Sequence, residues 1–381
     1  MLHPLASYRS PANGNQMNLR FASAPPVSPA LKERLAEKRV AICLDNDDTL
    51  TIHRKYQETV DETAIARVGQ TLNNPLFQKD AVTFEITGRG PDAFANVGHY
   101  QKNIRPDFLG LDDGRLLVVN AEHKTVAELL KQGPLREQQD PDYERLMQQE
   151  FHWNADVIDQ QVQKILQQEG FQPLSKAEKA TLKPLIWDMN AQQLQIPDPS
   201  GDRPPLLVEY YPKATGFFFH RGPQETLTEQ DKQLTHRVTG RLLNTLEAEG
   251  TQAVRKIFPY AHTELHTINP VGVNKHTLFR YVVDHYLPQV QALVAAGDTA
   301  NDEEILAEAD YPIQVGNNPT LKAALAHNPN YVQVPPGQLA QGLQQQLERV
   351  HRALHLSHST QRWLSRMNQP IRQALQLDRQ A

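Results

Sequence analysis

Residues 44–51, LDNDDTLT, place Asp45, Asp47 and Asp48 directly after an apolar run. That run, Val40–Leu44, is short, apolar and partly β-branched, which is typical of a buried strand. Carboxylates this close repel one another, so a positive charge beside them would stabilise them. The ordinary alternative is an acidic turn whose side chains cap a helix. The rest of the sequence has to decide between these two interpretations.

The composition favours a folded protein of about two to three domains. The 381 residues are 39% hydrophobic and 22% charged, with a net charge of −5, which gives no overall attraction to nucleic acid or an anionic membrane. No apolar run approaches the roughly 20 residues that would span a bilayer. The single cysteine, Cys43, allows no internal disulfide and favours a reducing compartment, so we predict a cytoplasmic location.

Short apolar strands alternate with helical segments at both ends of the chain. Near the C-terminus, ALVAAGD at 292–298 and YPIQVGN at 311–317 read as strands, with a helix between them. Such alternation is typical of a parallel α/β sheet. The middle of the chain has a different pattern, with helices over 124–168 and adjacent strands at 206–211 and 216–221. We therefore predict an α/β fold with a Rossmann-like parallel sheet core, interrupted by a large inserted module.

Polar clusters follow several of the predicted strands. EITGRG at 85–90 ends in Thr87, Gly88 and Arg89, and INPVGVNKHT at 268–277 places Lys275 at a helix start. LVAAGDTANDEE at 293–304 sets further acids in the loop after its strand. Because the carboxyl ends of parallel strands share one crevice, we expect these groups to converge with the acids after Leu44.

The chemistry of these groups is complementary. Asp45, Asp47 and Asp298 offer the hard oxygen ligands that suit Mg²⁺, and a divalent cation would offset their repulsion. Thr87 and Lys275 add a hydroxyl and a positive charge, which match the oxygens of a phosphoryl group. One carboxylate can attack phosphorus, and a second can protonate the leaving oxygen and later activate water. Taken singly, each motif also fits an ordinary turn, helix cap or surface position.

The ordered set resembles the haloacid dehalogenase-like superfamily of phosphotransferases. That family's four motifs are matched in turn by Asp45, Asp47 and Thr49, by Thr87, by Lys275, and by Gly297, Asp298 and Asp302. The resemblance implies that Asp45 is the nucleophile and Asp47 the acid and base. It also implies that Asp45, the Asp47 main-chain carbonyl and Asp298 hold Mg²⁺, with Asp302 nearby. One departure is Asp48, where many members carry Gly.

An insertion between the second and third motifs resembles the family's C2 cap, an α/β module of subclass IIB. VEYYPKATGFFFHR at 208–221 resembles the cap pattern of the trehalose-phosphate and sucrose-phosphate phosphatase branch. By that resemblance Lys213, His220 and Arg221, with Glu209 beside them, would contact the substrate together with Thr87, Gly88 and Arg89. An equally good interpretation makes the cap residues exposed polar positions on a two-stranded edge.

The predicted boundaries follow from these assignments. They are a disordered tail over 1–37, a core in two parts over 38–118 and 268–345, a cap over 119–267, and a helical extension over 346–381. Within the first of these, LKERLAEKR at 31–39 resembles a short helix leading into the first strand.

The leading hypothesis is an Mg²⁺-dependent phosphatase that hydrolyses a phosphomonoester of a sugar or similar small metabolite through an aspartyl-phosphate. A phosphomutase of the same family is the near alternative. A non-enzymatic phosphoacceptor such as a receiver module, or an inactive binding protein, is the alternative from another class. The expected partner is a small phosphorylated metabolite, with neither nucleic acid nor membrane, and the sequence leaves the oligomeric state open.

Overall fold

The structure is a computed structural model that describes residues 29–52, 60–181, 191–213, 216–222, 224–259 and 262–366, with side chains up to 354. The predicted disordered tail lies outside the described residues up to position 28. Its last part, Pro29–Ala36, forms a helix that buries Leu31 and Leu35. This is the short helix predicted before the first strand.

Strands form in the predicted segments at 40–44, 206–211, 216–221, 292–298 and 311–317, and also in segments that were not predicted as strands. The strands are β1 Val40–Asp45, β2 Ala81–Ile86, β3 Phe108–Leu111, β4 Leu116–Val119, β5 Gln172–Pro173, β6 Gln192–Ile196, β7 Leu206–Tyr210, β8 Gly216–His220, β9 Ala253–Pro259, β10 Thr263–Pro270, β11 Ala292–Gly297, β12 Tyr311–Val315 and β13 Val332–Val334.

Helices form in the predicted segments at 31–39, within 124–168 and from Lys275, and also in segments that were not predicted as helices. The helices are α1 Pro29–Ala36, α2 Glu62–Leu72, α3 Pro75–Gln78, α4 Pro91–Gly98, α5 Val126–Gln132, α6 Pro141–Glu150, α7 Ala155–Gln168, α8 Lys176–Thr181, α9 Glu229–Ala248, α10 Lys275–Tyr286, α11 Glu303–Glu308, α12 Pro319–Leu325 and α13 Leu339–Arg366. Several begin at side-chain caps, as α9 does, where Thr228 and Asp231 form a capping box.

A seven-stranded sheet has the order β13-β12-β11-β1-β2-β3-β4. The pairs β1–β11, β11–β12, β12–β13 and β2–β3 are parallel, and β4 pairs antiparallel with β3. Every residue of β1 is buried, as expected for a strand covered on both faces of a parallel sheet. The predicted α/β fold with a parallel sheet core is therefore confirmed.

A second sheet has six strands in the order β5-β6-β7-β8-β10-β9, with antiparallel pairing throughout. The strands β7 and β8 are interior strands of this sheet. The interpretation that placed them on a two-stranded edge is therefore wrong. Their residues find partners on both sides, which a local reading of two adjacent strands does not reveal.

The described residues group into two compact units. One comprises the described parts of 27–83 and 283–366, and the other those of 84–282. The first unit contains β1, β11, β12 and β13, and the second contains the six-stranded sheet. The predicted cap range, 119–267, stays a prediction. Within the described part of the chain, no helix is long and apolar enough to cross a membrane.

Candidate active site

The loop after β1 turns back sharply on itself. The main-chain N–H of Leu50 donates to the carbonyl of Asn46 at 3.0 Å, and that of Thr51 donates to the same carbonyl at 2.7 Å. Asp48 has a φ of 55° and an exposed side chain. This left-handed conformation favours glycine but is also adopted by aspartate, so Asp48 fits the position at which the resemblance to the family predicts Gly.

Asp45 and Asp298 follow neighbouring strands at the same edge of the sheet. The strands β1 and β11 are parallel, and Leu44 lies opposite Ala296 in their register. The acid after each strand therefore emerges beside the other. The hydroxyl of Thr49 donates to Asp298 Oδ1 at 3.3 Å, which links the two loops directly.

Asp302 lies beneath this pair because its loop folds back over the end of β11. Its Oδ2 accepts from the main-chain N–H groups of Asp298 and Thr299, both at 3.2 Å. A Cβ at Gly297 would lie 2.5 Å from the Cβ of Asp302, so only glycine permits this close approach. The Gly-Asp start of the fourth motif thus has a steric cause.

Three carboxylates meet here. Asp45, Asp298 and Asp302 each offer an oxygen, and these oxygens all lie within 4.8 Å of one another. Asp45 and Asp302 are only 3% and 2% exposed. Close carboxylates with little access to water raise one another's energy, and a hard divalent cation is the group that such donors fit. Asp47 belongs to the same loop and is half-buried.

Thr87 and Lys275 both lie in the second unit. The turn between β3 and β4 contacts the segment that contains Thr87 and the segment that contains Lys275. Thr87 is fully buried, its N–H donates to Gly110, and its hydroxyl oxygen accepts from the N–H of Arg89 at 3.0 Å. In the turn, the N–H of Asp113 donates to the carbonyl of Thr87 at 3.2 Å.

The same turn contacts the start of α10. Gly114 has a φ of +94°, and a Cβ there would lie 2.2 Å from the Asn274 carbonyl oxygen and 3.2 Å from the Lys275 nitrogen. On its other side, a Cβ at Gly88 would lie 2.9 Å from an Asp113 carboxylate oxygen. The second and third motifs are therefore brought to one turn within the unit. That these groups also meet Asp45 stays a prediction.

The Asp112–Gly114 turn is a feature that the sequence reasoning missed as part of the site. The antiparallel pairing of β3 with β4 makes this segment a hairpin, with an Asp-Gly pair in its turn. Asp112 and Asp113 both have positive φ, at 60° and 54°. Two successive aspartates before a glycine were the available signal for this strained backbone.

Glu209, His220 and Arg221 bond to buried partners within the second unit. Glu209 and His220 are 1% and 0% exposed and bond to each other across β7 and β8. Arg221 donates to both carboxylate oxygens of Asp231, at 2.9 Å and 2.7 Å. Burial raises the pKa of Asp231, but the hydrogen bonds from Arg221 and Thr228 outweigh it and bring the pKa to about 2.

Lys213 differs from these buried residues. Its side chain is 39% exposed and forms an ion pair with Asp156, which is itself largely exposed. Its backbone has a φ of 63°. Of the three predicted cap contacts, Lys213 therefore has the most accessible side chain. The assignment of Lys213, His220 and Arg221 to substrate contact stays a prediction.

A protein-family model matches the part of the chain that contains the third and fourth motifs. Residues 224–329 match the model of the haloacid dehalogenase-like hydrolase family. This part of the chain is haloacid dehalogenase-like. The matched range contains Lys275, Gly297, Asp298 and Asp302, which confirms the resemblance predicted from the motifs. No curated protein sequence matches the chain.

Solved structures of haloacid dehalogenase-like proteins are similar to this chain at low identity. YhjK of Bacillus subtilis is 14% identical with a TM-score of 0.44, over 84% of this chain and 97% of its own. A hydrolase of this family from Bacteroides thetaiotaomicron is 15% identical with a TM-score of 0.44, over 82% and 100%. The sucrose-phosphatase of Synechocystis, solved with sucrose and phosphate, is 15% identical with a TM-score of 0.40, over 78% and 92%.

Proposed function

We propose that this chain is an Mg²⁺-dependent phosphatase that hydrolyses a phosphomonoester of a sugar or similar small metabolite. The observation that carries the proposal is the cluster of Asp45, Asp298 and Asp302, whose carboxylate oxygens lie within 4.8 Å of one another. Its position at the carboxyl ends of β1 and β11 is where open α/β sheets bind their ligands. The family match over 224–329 supports the same class of chemistry.

The donor set fits Mg²⁺. Three carboxylates with retained waters suit a small hard cation, and the Asp47 carbonyl completes the predicted ligands. When bound, Mg²⁺ would neutralise charge on the phosphoryl oxygens. Asp302 also accepts from two main-chain N–H groups, so it holds the loop of Asp298 in place as well as adding charge.

The proposed chemistry has two steps. A carboxylate oxygen of Asp45 attacks phosphorus, the ester P–O bond breaks, and Asp47 gives its proton to the leaving oxygen. Asp47, now ionised, takes a proton from water, whose oxygen attacks phosphorus and releases Asp45 and inorganic phosphate. The hydroxyl of Thr87 and the ammonium of Lys275 would hold the phosphoryl oxygens during both steps.

Phosphoryl transfer to a second hydroxyl of the substrate would make the chain a mutase instead, and water access decides between the two. A protein that only binds phosphate is the alternative from another class. The Asp45 and Asp47 pair favours turnover, because the second acid serves the release of the leaving group. A cytoplasmic location also stays a prediction.

Release of inorganic phosphate from a panel of phosphorylated metabolites tests this proposal. We expect Mg²⁺-dependent release from at least one sugar phosphate, and none from Asp45→Asn, because an amide of the same volume cannot attack phosphorus. Circular dichroism checks that the variant keeps its fold. Near-normal release from Asp45→Asn would contradict the mechanism, and isomerised substrate without free phosphate would indicate the mutase.

A further inference from the structure

A second group of metal-ligating side chains lies in the second unit, within the six-stranded sheet and the helix that packs on it. His236 belongs to α9, and Glu264 and His266 belong to β10. Glu264 and His266 are two residues apart, so they project from the same face of the strand. One ligand atom of each residue lies within 4.8 Å of those of the other two.

The distances suit a tetrahedral ion. His266 Nε2 lies 3.0 Å from Glu264 Oε2, and His236 Nε2 lies 3.8 Å from the same oxygen. Around tetrahedral zinc, ligand atoms at about 2.0–2.2 Å from the ion lie roughly 3.4 Å apart. The two observed separations fall on either side of that value, so small side-chain rotations bring all three ligand atoms to an ion between them.

The hydrogen bonds of Thr239 orient the His266 ring toward such an ion. The Thr239 hydroxyl donates to the carbonyl of Thr235 at 3.0 Å and accepts from Arg255 Nη1 at 2.8 Å. His266 Nδ1 lies 3.1 Å from the same hydroxyl oxygen. His266 therefore has an oxygen partner at Nδ1, while its Nε2 shares a hydrogen bond with Glu264 Oε2 at 3.0 Å.

His266 Nε2 faces the carboxylate of Glu264 and shares a hydrogen bond with it. An ion that binds between the two atoms would take the place of the proton that they share. A ligating histidine commonly donates its other N–H to an oxygen acceptor, and the Thr239 hydroxyl oxygen, 3.1 Å from His266 Nδ1, is placed to accept it.

The group is closed on one side and open on the other. Glu264 and His266 are 6% and 0% exposed, whereas the side chain of His236 is 45% exposed. The buried pair would hold the ion, and the exposed imidazole gives it a route from solvent and room for a water as fourth ligand.

We propose that His236, Glu264 and His266 form a zinc site that ties α9 to β10. Two imidazole nitrogens and one carboxylate are a donor set suited to Zn²⁺, whereas Mg²⁺ prefers oxygen donors throughout. The site takes a different metal class from the Asp45 cluster. An ion bound to the folded state alone would also raise the melting temperature.

Titration of the full chain with Zn²⁺ in excess Mg²⁺, followed by calorimetry, tests the site. The excess Mg²⁺ competes with Zn²⁺ for the carboxylate cluster, where the proposed function places it. We expect one saturable Zn²⁺ per chain and a rise in Tm. His236→Ala should weaken binding at least tenfold and remove the Tm rise, and its exposed side chain makes the substitution safe for folding. His99→Ala, an exposed histidine of the same unit, should bind zinc like the unaltered protein.

Glu264→Gln should also lose the site, and circular dichroism shows whether it still folds. If Glu264→Gln does not fold, zinc binding by His236→Ala alone decides whether the proposed site exists. The proposal is overturned if the unaltered chain shows no saturable zinc binding, or if His236→Ala and His99→Ala bind zinc equally well.

Discussion

The carboxylate cluster at the ends of β1 and β11 and the Arg221–Asp231 pair of the second unit are both buried, yet their charges are arranged in opposite ways. Asp45 and Asp302 are 3% and 2% exposed, and Arg221 and Asp231 are 7% and 4% exposed. The first group brings together side chains of one sign within 4.8 Å. The second joins a guanidinium to a carboxylate through two hydrogen bonds.

The difference shows that burial of polar groups does not by itself mark a candidate site. A buried pair of opposite charges satisfies its members, and breaking it leaves an uncompensated charge. A buried group of like charges is stabilised further when a cation binds it. The sign pattern therefore distinguishes groups that hold the fold from groups arranged for a ligand, and each prediction below tests one side of that distinction.

Removing a charge from the carboxylate cluster should have the largest effect. Asp298→Asn should abolish Mg²⁺-dependent phosphate release, because the cation loses a ligand and a charge. The same variant should unfold at a higher temperature than the unaltered chain in the absence of Mg²⁺, since one source of repulsion is gone. Phosphate release and thermal melts with and without chelator measure both effects.

Asp48→Asn is the matched control, because Asp48 lies in the same loop but is exposed. It should keep its activity. Full turnover by the unaltered chain in excess chelator would show that the cluster does not depend on a cation.

Asp47→Asn should have the next largest effect on activity. If Asp47 supplies the proton, turnover falls by roughly 10²–10⁴, and phosphoenzyme can accumulate because water is no longer activated. Quenched-flow detection of the phosphorylated protein, with steady-state rates, measures this. A loss below about tenfold would mean that another group transfers the proton.

On the opposite side of the comparison, Arg221→Ala should destabilise the fold by about 3–5 kcal/mol, because it leaves Asp231 buried without its main partner. Denaturant unfolding measures this. Arg145→Ala, which breaks an ion pair with the arginine 59% exposed, should cost under about 1 kcal/mol. Equal effects of the two substitutions would contradict the assigned role of burial.

The Arg221–Asp231 pair also predicts a pH dependence. The pKa of Asp231 falls from 3.8 to about 2 in the folded protein. A carboxyl group whose pKa is lowered on folding stabilises the fold at pH values above its unfolded pKa. That contribution is lost as the pH falls through its folded pKa. The destabilisation caused by Arg221→Ala should therefore shrink between about pH 4 and pH 2.

The smallest effect concerns Lys213, the accessible member of the predicted cap contacts. If it contacts substrate beyond the phosphate, Lys213→Ala should raise KM for the true metabolite by roughly tenfold, the value of one charged hydrogen bond. The rise should be smaller for a small aryl phosphate, which lacks the part that Lys213 would contact. Equal changes for both substrates would remove Lys213 from the specificity role.

Much of the fold was predictable because its signals are local. Apolar segments such as Val40–Leu44 and ALVAAGD became adjacent parallel strands, and Asp45 and Asp298 met because strand ends share an edge. The roles of Glu209 and His220 were not predictable in the same way. Their burial depends on β6 and β10, which flank β7 and β8, and this strand order does not follow from the local sequence.

Other features lacked any local signal. His236 lies far along the chain from Glu264 and His266, and only the packing of α9 on the sheet brings them together. The contact of Gly114 with Asn274 likewise joins segments that are distant in sequence. Sequence patterns reveal which residues carry chemistry, whereas such long-range contacts are set by the packing of whole elements.

The pairing of β1 with β11 also has a consequence during synthesis. Val40 leaves the ribosome long before its partner Ala292, and at roughly 5–20 residues per second the delay is on the order of 10–50 s. Throughout that time one hydrogen-bonding edge of a strand that is apolar over Val40–Leu44 is without its final neighbour, and exposed edges of this kind invite aggregation. The nascent chain should therefore depend on chaperone protection until the last third of its sequence has emerged.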